Sequence, residues 1–307
     1  MPGKLLDDLA GDLFTVRADR YNMREQSEAP VILYKYLAPD RIDVLRTRRI
    51  RFTQPDDFND PFEFRPPISA TAFHSRAIAE LDGSFDQLLA DELAKYGSMI
   101  SPSAREQLWS RRADLRRSLP AVLGQAVPSL VHGIQSGIYK QLALQVGVLC
   151  LSEVRDSVLM WGHYTDSHRG FVVGFDSEHD FFLRRRGSRD EFGFLRKVAY
   201  QLKRPSVDLL ATTAEEWFQT KSSDWAYEKE WRIVRVLSEA NCRIDRQPVP
   251  ICLFDVPAEA VREIIVGLRA PADLVADLKR LVKDFPAAAL LAAREHPQEF
   301  RLTIANA

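Results

Sequence analysis

The sequence predicts an α+β protein with a mixed, largely antiparallel central sheet, flanking helices and a helical insertion. Short runs rich in Val, Ile and Phe, each bounded by polar turn residues, indicate strands in both halves of the chain. Between residues 69 and 144, leucines instead recur at helical spacing, interrupted by proline and glycine. With 46% apolar residues over 307 positions, the chain can bury a sizeable core without disulfide or metal support.

The elements follow in chain order from these patterns. A strand at 31–36 is followed by a helix that starts near Pro39 and by a short strand at 50–53. Further strands are predicted at 147–152, 170–176, 192–200, 230–236, 251–256, 264–267 and 300–304. The predicted organisation is an N-terminal helical extension at 1–30, one α+β domain at 31–268 with the helical insertion at 69–144, and a C-terminal helical segment at 269–307 packed on the domain.

Charge, cysteine content and hydropathy argue against several classes of protein. The 42 Lys and Arg residues nearly balance the 43 Asp and Glu residues, so the net charge of −1 creates no overall attraction to nucleic acid or an anionic membrane. Three cysteines without a C-x-x-C pair suit a reducing compartment. The N-terminus does not resemble a signal peptide, and no apolar stretch approaches the roughly 20 residues that span a bilayer. We therefore expect a cytoplasmic protein without a membrane partner.

The first polar-aromatic motif runs from Leu33 to Phe64 and consists of a strand LYKY, a helix, a strand IRF and the segment FNDPFE at 58–63. Pro61 forces the preceding residue into an extended conformation, and Asn59 is a residue type that tolerates turn geometry. The resulting tight turn can present Asn59, Asp60 and Glu63 to a ligand. In the alternative interpretation, the phenylalanines of this segment fill the core and the turn has no ligand.

The second motif begins where the strand CLSE at 150–153 ends in polar residues, and it continues through the short helix MWGHY. Ligands often bind at strand ends in such sheets, so Ser152, His163 and Tyr164 are candidate binding residues. A metal site is disfavoured because His163 and His168 are five positions apart, whereas a spacing of four aligns ligands on a helix. Alternatively, His163 and Tyr164 are hydrogen-bonded wall residues.

The third motif is KSSDWAYEKEWRIV at 221–234. If 227–234 forms a strand, Glu228, Glu230 and Arg232 share one of its faces. Two carboxylates about 7 Å apart repel by roughly 2 kcal/mol, which would raise one pKa by about one to two units if the pair were partly buried. The alternative is an exposed strand edge in which Arg232 neutralises the pair.

Together, the segments LYKY, FNDPFE, CLSE, MWGHYTDSHRGFVVGFD, DWAYEKEWRIV and EIIVG resemble the widespread bacterial family named domain of unknown function 2971. The resemblance extends over about residues 33–268. It implies little chemistry, because that family has no general assigned activity.

The order of a tyrosine-rich first strand, a middle strand ending in serine and a late E-x-E is similar to the ADP-ribosyltransferase superfamily. The resemblance implies that Ser152 supports the nicotinamide-side strand, that Glu230 is the catalytic carboxylate and that Glu228 assists the acceptor. The carboxylate would stabilise positive charge at C1′ of NAD, while Tyr34 or Tyr227 stacks on the nicotinamide. In place of the superfamily's first-strand Arg or His, this chain has Lys35 between two tyrosines, and no serine-threonine-serine string surrounds the serine.

Three functions stay open at this point. The first is a NAD-dependent ADP-ribosyltransferase, such as a toxin or antiphage effector, that binds a small nucleotide and modifies a protein or nucleic-acid acceptor. The second is a non-catalytic module that binds a nucleotide or a peptide. The third is a nuclease that holds Mg²⁺ with Asp60, Glu63, Glu228 and Glu230. Basic clusters at 46–51 and 184–186 could then contact phosphate.

We hypothesise that the three motifs converge on one site. Its predicted catalytic residues are Glu230 and Glu228. Its predicted ligand-binding residues are Tyr34, Lys35, Tyr36, Asn59, Asp60, Ser152, His163, Tyr164, Tyr227 and Arg232.

Overall fold

The computed structural model describes residues 29–97, 99–184, 192–207, 218–247 and 249–307. The predicted N-terminal helical extension lies outside them, apart from its last two residues. The chain divides into two compact units. The first comprises the described residues of 29–65, 140–204 and 218–307, and the second those of 66–139 and 205–207.

The strands, in chain order, are β1 (Ile32–Leu37), β2 (Arg49–Arg51), β3 (Val146–Ser152), β4 (Phe171–Asp176), β5 (Arg196–Lys197), β6 (Ala199–Gln201), β7 (Thr220–Ser222), β8 (Glu230–Val236), β9 (Cys242–Ile244), β10 (Ile251–Asp255), β11 (Val261–Val266), β12 (Ala289–Glu295) and β13 (Leu302–Asn306). The α-helices are α1 (Asp43–Thr47), α2 (Ala70–Lys95), α3 (Pro102–Ser110), α4 (Arg112–Gln145), α5 (Val158–Tyr164) and α6 (Ala272–Leu281).

Eight strands form the central sheet in the order β13-β12-β11-β4-β1-β3-β8-β5. All neighbours in this sheet are antiparallel except β11 and β12, which are parallel. Strands β2, β10 and β9 form a smaller antiparallel sheet, and β6 and β7 a parallel pair. The structure confirms the predicted α+β class with a mixed, largely antiparallel sheet.

Both faces of the central sheet are covered, which explains why its middle strands are apolar at successive positions. Strand β4, FVVGFD, is buried from Phe171 to Phe175, as expected of a strand packed on both faces. Phe171, Val173 and Phe175 join the larger core cluster on one face. Val172 points to the other face and packs with Trp161 of α5. The central sheet thus separates a large apolar core from a second layer that contains α5.

The second unit contains α2, α3 and most of α4, and it is described here by itself. Ser69 and Ser101 cap α2 and α3, since their hydroxyls accept the N–H groups of Ala72 and Ala104. One buried cluster among its described residues consists of Ile68, Val127 and Val131, against which Ala70, Phe73 and Leu123 pack. Among the described residues, no helix of either unit has the length and apolar character to cross a membrane.

Two predicted elements differ from the structure. The strand predicted at 192–200 is divided, because β5 joins the central sheet whereas β6 pairs with β7 instead. The C-terminal segment is helical only in α6, and ALLAARE at 289–295 forms β12 although alanine and leucine favour helices. The physical reason is tertiary, because β12 pairs in parallel with β11 and antiparallel with β13. This pairing outweighs the helix propensity of the segment.

Candidate functional site

One row of side chains crosses five adjacent strands of the central sheet. Glu230 of β8 pairs with Ser152 of β3, which in turn pairs with Tyr34 of β1. Tyr34 also pairs with Gly174 of β4, and Gly174 pairs with Glu263 of β11. Directly paired residues project from the same face of a sheet, so this row brings the predicted strand residues of all three motifs together.

Gly174 leaves the space in which the Tyr34 ring lies. A Cβ atom at this glycine would be 3.0 Å from Cε1 of Tyr34 and 2.9 Å from Cγ2 of Ile32. Beyond it, Arg155 donates to both carboxylate oxygens of Glu263 at 2.9 and 3.0 Å. Burial and the neighbouring Glu263 charge raise the pKa of the Tyr34 phenol to about 12. Tyr34 is therefore held in its protonated form between Ser152 and an ion pair that sequence reasoning missed.

A pocket of about 400 Å³ opens beside this row. Its lining includes the predicted residues Tyr34, Lys35, Tyr36, Asn59, Ser152, His163, Tyr164, Glu228 and Glu230. It also includes Thr53, Asp57, Phe58, Cys150, Leu151, Met160 and Lys221, which were not predicted. Residues from all three motifs thus line one concave, polar and aromatic surface.

Three predicted residues do not line the pocket. Asp60 is buried, and its carboxylate accepts the N–H of Phe62 at 2.8 Å, so it closes the turn of the first motif. Tyr227 lies beside the exposed His163 ring, with centroids 6.5 Å apart. Arg232 is fully buried next to Glu230, where it acts on the site through that carboxylate.

Lys221 joins three carboxylates at one end of the pocket. Its ammonium lies 2.7 Å from Oε2 of Glu228, 3.0 Å from Oε2 of Glu230 and 3.4 Å from Oε1 of Glu63. Burial lowers the pKa of Lys221, but the charges of Glu230 and Glu63 outweigh burial and raise that pKa overall. Lys221 is the first residue of the third motif, and the only available signal was a lysine within an aromatic and acidic segment.

Arg232 is the second cation of this cluster. Its Nε and Nη2 atoms donate to the two oxygens of Glu230 at 2.7 and 3.0 Å, in the bidentate geometry that arginine favours with carboxylates. Nη2 also donates to Glu63, and Nη1 donates to the carbonyl of Phe218 at 2.8 Å. Three buried carboxylates therefore share two cations, which leaves a charge of −1 when all five groups are ionised.

Strand β8 spans the predicted 230–236, so the strand at 227–234 on which a shared face of the glutamates depended does not form. Residues Ser223–Glu228 form a 3₁₀-helix, and Lys229 adopts a left-handed conformation with φ 42° and ψ 58° before β8 begins at Glu230. Glu228 and Glu230 therefore do not share a strand face, and the tight turn at Lys229 directs both carboxylates to Lys221. Ser152 helps to fix this turn, since its hydroxyl donates to the carbonyl of Glu228 at 2.6 Å.

The predicted repulsion within the E-x-E pair is also wrong, because cations lie between and beside the carboxylates. Burial raises the pKa of Glu230, but Arg232 and Lys221 outweigh burial and hold that pKa well below its usual range. The raised pKa belongs to Glu63 instead, and its main cause is burial. Oε2 of Glu63 has no hydrogen-bond partner among the described residues. Glu230 is thus the firmly ionised member of the cluster.

The hydroxyl groups of two tyrosines form hydrogen bonds with Glu228 and Glu230. The Tyr164 hydroxyl donates to Oε1 of Glu228 at 2.5 Å, and burial together with the Glu228 charge raises the pKa of this phenol. The Tyr200 hydroxyl accepts the backbone N–H of Glu230 at 2.8 Å. Tyr200, on β6, was absent from the predicted site; it follows β5, which pairs with β8, and the N–H of Val198 donates to the carbonyl of Glu230 at 2.9 Å.

The nuclease hypothesis assigned Asp60, Glu63, Glu228 and Glu230 to Mg²⁺. In the part of the chain that is described, no cluster of His, Cys, Asp and Glu has the arrangement of a metal site. Asp60 closes its own turn, and the other three carboxylates pair with Lys221 or Arg232. A divalent ion would have to displace these cations.

Comparisons with known proteins concern the second and third motifs. Residues 160–233 match the model of a family described as "Protein of unknown function (DUF2971)". The matched segment contains His163, Tyr164, Lys221, Glu228 and Glu230, and it supports the resemblance to that family. No curated protein matches the chain, and neither does any solved structure.

Proposed function

We propose that this chain, which contains a segment of the DUF2971 family, binds NAD in the pocket and cleaves its nicotinamide–ribose bond. Cleavage of the bond between the nicotinamide nitrogen and C1′ releases nicotinamide and leaves positive charge on the ribose. A protein or nucleic-acid acceptor, or water, then takes the ADP-ribose at C1′.

The observation that carries the proposal is the row Glu230–Ser152–Tyr34 across β8, β3 and β1. These are the residues on which the resemblance to ADP-ribosyltransferases rests, and they come from positions far apart in the sequence. Pairing of the three strands places them side by side at the pocket. If the E-x-E had arisen by chance, nothing would require Glu230 to pair with Ser152 and Ser152 to pair with Tyr34.

The charge state of Glu230 suits the chemistry. Arg232 and Lys221 keep this carboxylate ionised, and their hydrogen bonds hold it in place before any ligand binds. A fixed negative charge in a buried site stabilises positive charge that develops at C1′, and it needs no reorganisation during the reaction. Glu228, whose Oε1 accepts from the Tyr164 hydroxyl, is the second carboxylate in the pocket, and in this proposal it assists the acceptor.

The size and lining of the pocket suit a planar ring joined to a sugar. About 400 Å³ lies within the range of roughly 300–1,000 Å³ that is typical of small-molecule sites. Tyr34, Tyr36 and Tyr164 supply aromatic surface, and Asn59 and Ser152 supply hydrogen-bonding groups. This combination can hold nicotinamide against an aromatic wall while the ribose faces the carboxylates.

A second candidate function is a nucleotide- or peptide-binding module without turnover. One observation favours it: both oxygens of Glu230 already accept hydrogen bonds from Arg232 and Lys221. Glu230 is only 3% exposed, so a substrate has limited access to its carboxylate. A carboxylate occupied in this way can also serve to shape a binding pocket.

The experiment that tests the proposal is release of nicotinamide from NAD by the purified chain, with and without a cell extract that supplies acceptors. We expect release by the wild type and a loss of at least about 100-fold in Glu230→Gln, the order that follows removal of one key electrostatic stabiliser. Glu259→Gln, at an exposed position outside the pocket, serves as the matched control and should retain full activity.

Glu230→Gln leaves Arg232 and Lys221 with one carboxylate fewer, so a folding defect could mimic a catalytic one. His163→Ala provides an independent test, because His163 is exposed and lines the pocket. We expect it to raise the KM for NAD while the unfolding midpoint stays unchanged. Saturable NAD binding without nicotinamide release would support the binding module, and no NAD binding at all would reject the proposed cleavage of NAD.

A further inference from the structure

Arg235, on β8, is a buried cation that the cluster at the pocket does not use. It is 7% exposed, and among the described residues no carboxylate forms an ion pair with it. Its guanidinium donates through Nη2 to the carbonyl of Phe181. Burying an ionised group without a counter-charge is costly, so a buried arginine of this kind calls for an explanation.

Three aromatic rings surround the guanidinium and account for part of its stability. The ring centroids of Phe181, Phe52 and Phe254 lie 4.3, 5.1 and 5.5 Å from its central carbon. Cation–π contacts of this type contribute about 0.5–2 kcal/mol each, and they leave the positive charge itself uncompensated. Burial and the nearby Arg184 lower the pKa of Arg235 to about 10, so it remains protonated at neutral pH.

A cavity of about 220 Å³ lies against this arginine, and its lining contains a second one, Arg184. Asn241 also lines the cavity, and since its Oδ1 accepts the N–H of Asp255 at 2.9 Å, its amide nitrogen is left as a donor. Glu239 is the acidic group in the lining, and its charge affects Arg235 less than that of Arg184. Among the residues that the structure describes, the lining therefore has two cations and an amide donor against one carboxylate.

We propose that this cavity binds a phosphate-type oxyanion, with Arg235 at its base and Arg184 and Asn241 at its sides. The guanidinium of an arginine presents paired donors that match the oxygens of a phosphate group. The ligand would supply the paired counter-charge that no described carboxylate gives Arg235. The site is formed by different residues from the pocket proposed for NAD, and the inference does not depend on that function.

The test is thermal unfolding of the full chain in increasing inorganic phosphate, with sodium chloride used to keep the ionic strength constant. A ligand that binds only the folded chain raises the unfolding midpoint with its concentration, so we expect a saturable rise with phosphate and none with chloride. An equal effect of the two salts would overturn the proposal.

Two exposed residues of the lining give opposite expectations. Arg184→Gln should weaken phosphate binding about two- to fivefold, and Glu239→Gln should strengthen it by a similar factor, as for single partly exposed charge pairs. Arg235→Lys, which keeps the charge but loses the paired donors, should weaken it by at least about tenfold. Arg301→Gln, outside the cavity, should leave affinity unchanged. Changes in the same direction for Arg184→Gln and Glu239→Gln would show that Arg235 is stabilised by its aromatic neighbours alone.

Discussion

Glu63 and Glu230 lie in one buried cluster, but the pKa of Glu63 is raised and the pKa of Glu230 is lowered. Burial raises the pKa of Glu63 above its ordinary value of 4.5, whereas Arg232 and Lys221 outweigh burial at Glu230 and lower its pKa. A raised folded-state pKa contributes stability that is fully present below the unfolded pKa and is lost as pH rises through the folded pKa. For a lowered pKa the contribution is present above the unfolded value and is lost as pH falls.

We therefore predict that Glu63→Gln becomes more stable relative to the wild type as pH rises from about 4.5 towards neutrality, because glutamine avoids the cost of ionising a buried carboxyl. Denaturant unfolding of both proteins across this range measures the difference. The deficit of Glu230→Gln should follow the opposite trend and shrink as pH falls below about 4.5. A wild type that gains stability over Glu63→Gln with rising pH would show that Glu63 is stabilised in its ionised form.

At the scale of the element, strand β4 combines apolar packing with one position that must lack a side chain. A Cβ atom at Gly174 would lie 3.0 Å from the Tyr34 ring, 2.9 Å from Ile32 and 3.1 Å from Cβ of Glu263. Such distances require the neighbours to shift, and overpacking of this kind costs about 1–3 kcal/mol.

We predict that Gly174→Ala destabilises the chain by about 1–3 kcal/mol in denaturant unfolding. In the double variant with Tyr34→Leu, the smaller side chain should make the effect of Gly174→Ala less severe, so the two changes should not be additive. Gly83→Ala is the control, because nothing lies within 4 Å of a Cβ at that helical glycine. It should be neutral or stabilising by up to about 1 kcal/mol. Additive effects at 34 and 174 would contradict the proposed contact.

Alternation and apolar runs predicted the central strands well because burial on both faces of β3, β4 and β8 leaves a direct trace in the sequence. Strand β8 matches the predicted strand at 230–236, but the segment just before it was harder to predict. The left-handed turn at Lys229 depends on Lys221 and Ser152, which lie in other strands, and a strand pattern continued through it in the sequence. The helix propensity of alanine and leucine likewise predicted the wrong structure for 289–295, which forms β12 because it pairs with β11.

At the scale of the whole molecule, the residue types of the site could be predicted from the sequence, whereas contacts made through the fold could not. Tyrosines, serine, histidine and paired glutamates were recognisable as chemistry-bearing residue types, and the pocket contains most of them. Lys221, Arg155, Glu263 and Tyr200 were missed because single charged or phenolic residues carry no motif of their own. Their roles arise from strand pairing that the sequence alone does not specify, since Glu263 lies on β11, Tyr200 on β6 and Lys221 on β7.

The two units bury very different amounts of apolar surface, and this predicts a difference in local stability. In the first unit, a continuous core includes Phe171, Val173, Trp231 and Ile233. The buried hydrophobic residues described in the second unit include Ile68, Leu93, Val127, Val131 and Val207, while Leu88, Leu108, Trp109 and Leu115 on its helices are exposed. Regions with few buried apolar contacts open at lower free energy than a packed core.

We predict that amide hydrogens of α2 and α3 exchange with solvent at least about tenfold faster than those of β4 under native conditions, after correction for intrinsic rates. Native-state hydrogen exchange read by mass spectrometry of peptides measures this difference. Leu108→Glu on the exposed side of α3 is the control and should leave the protection of β4 unchanged. Equal protection of α2 and β4 would contradict this prediction. It would mean that the helices open only when the whole chain unfolds, although the cluster around Val127 is small.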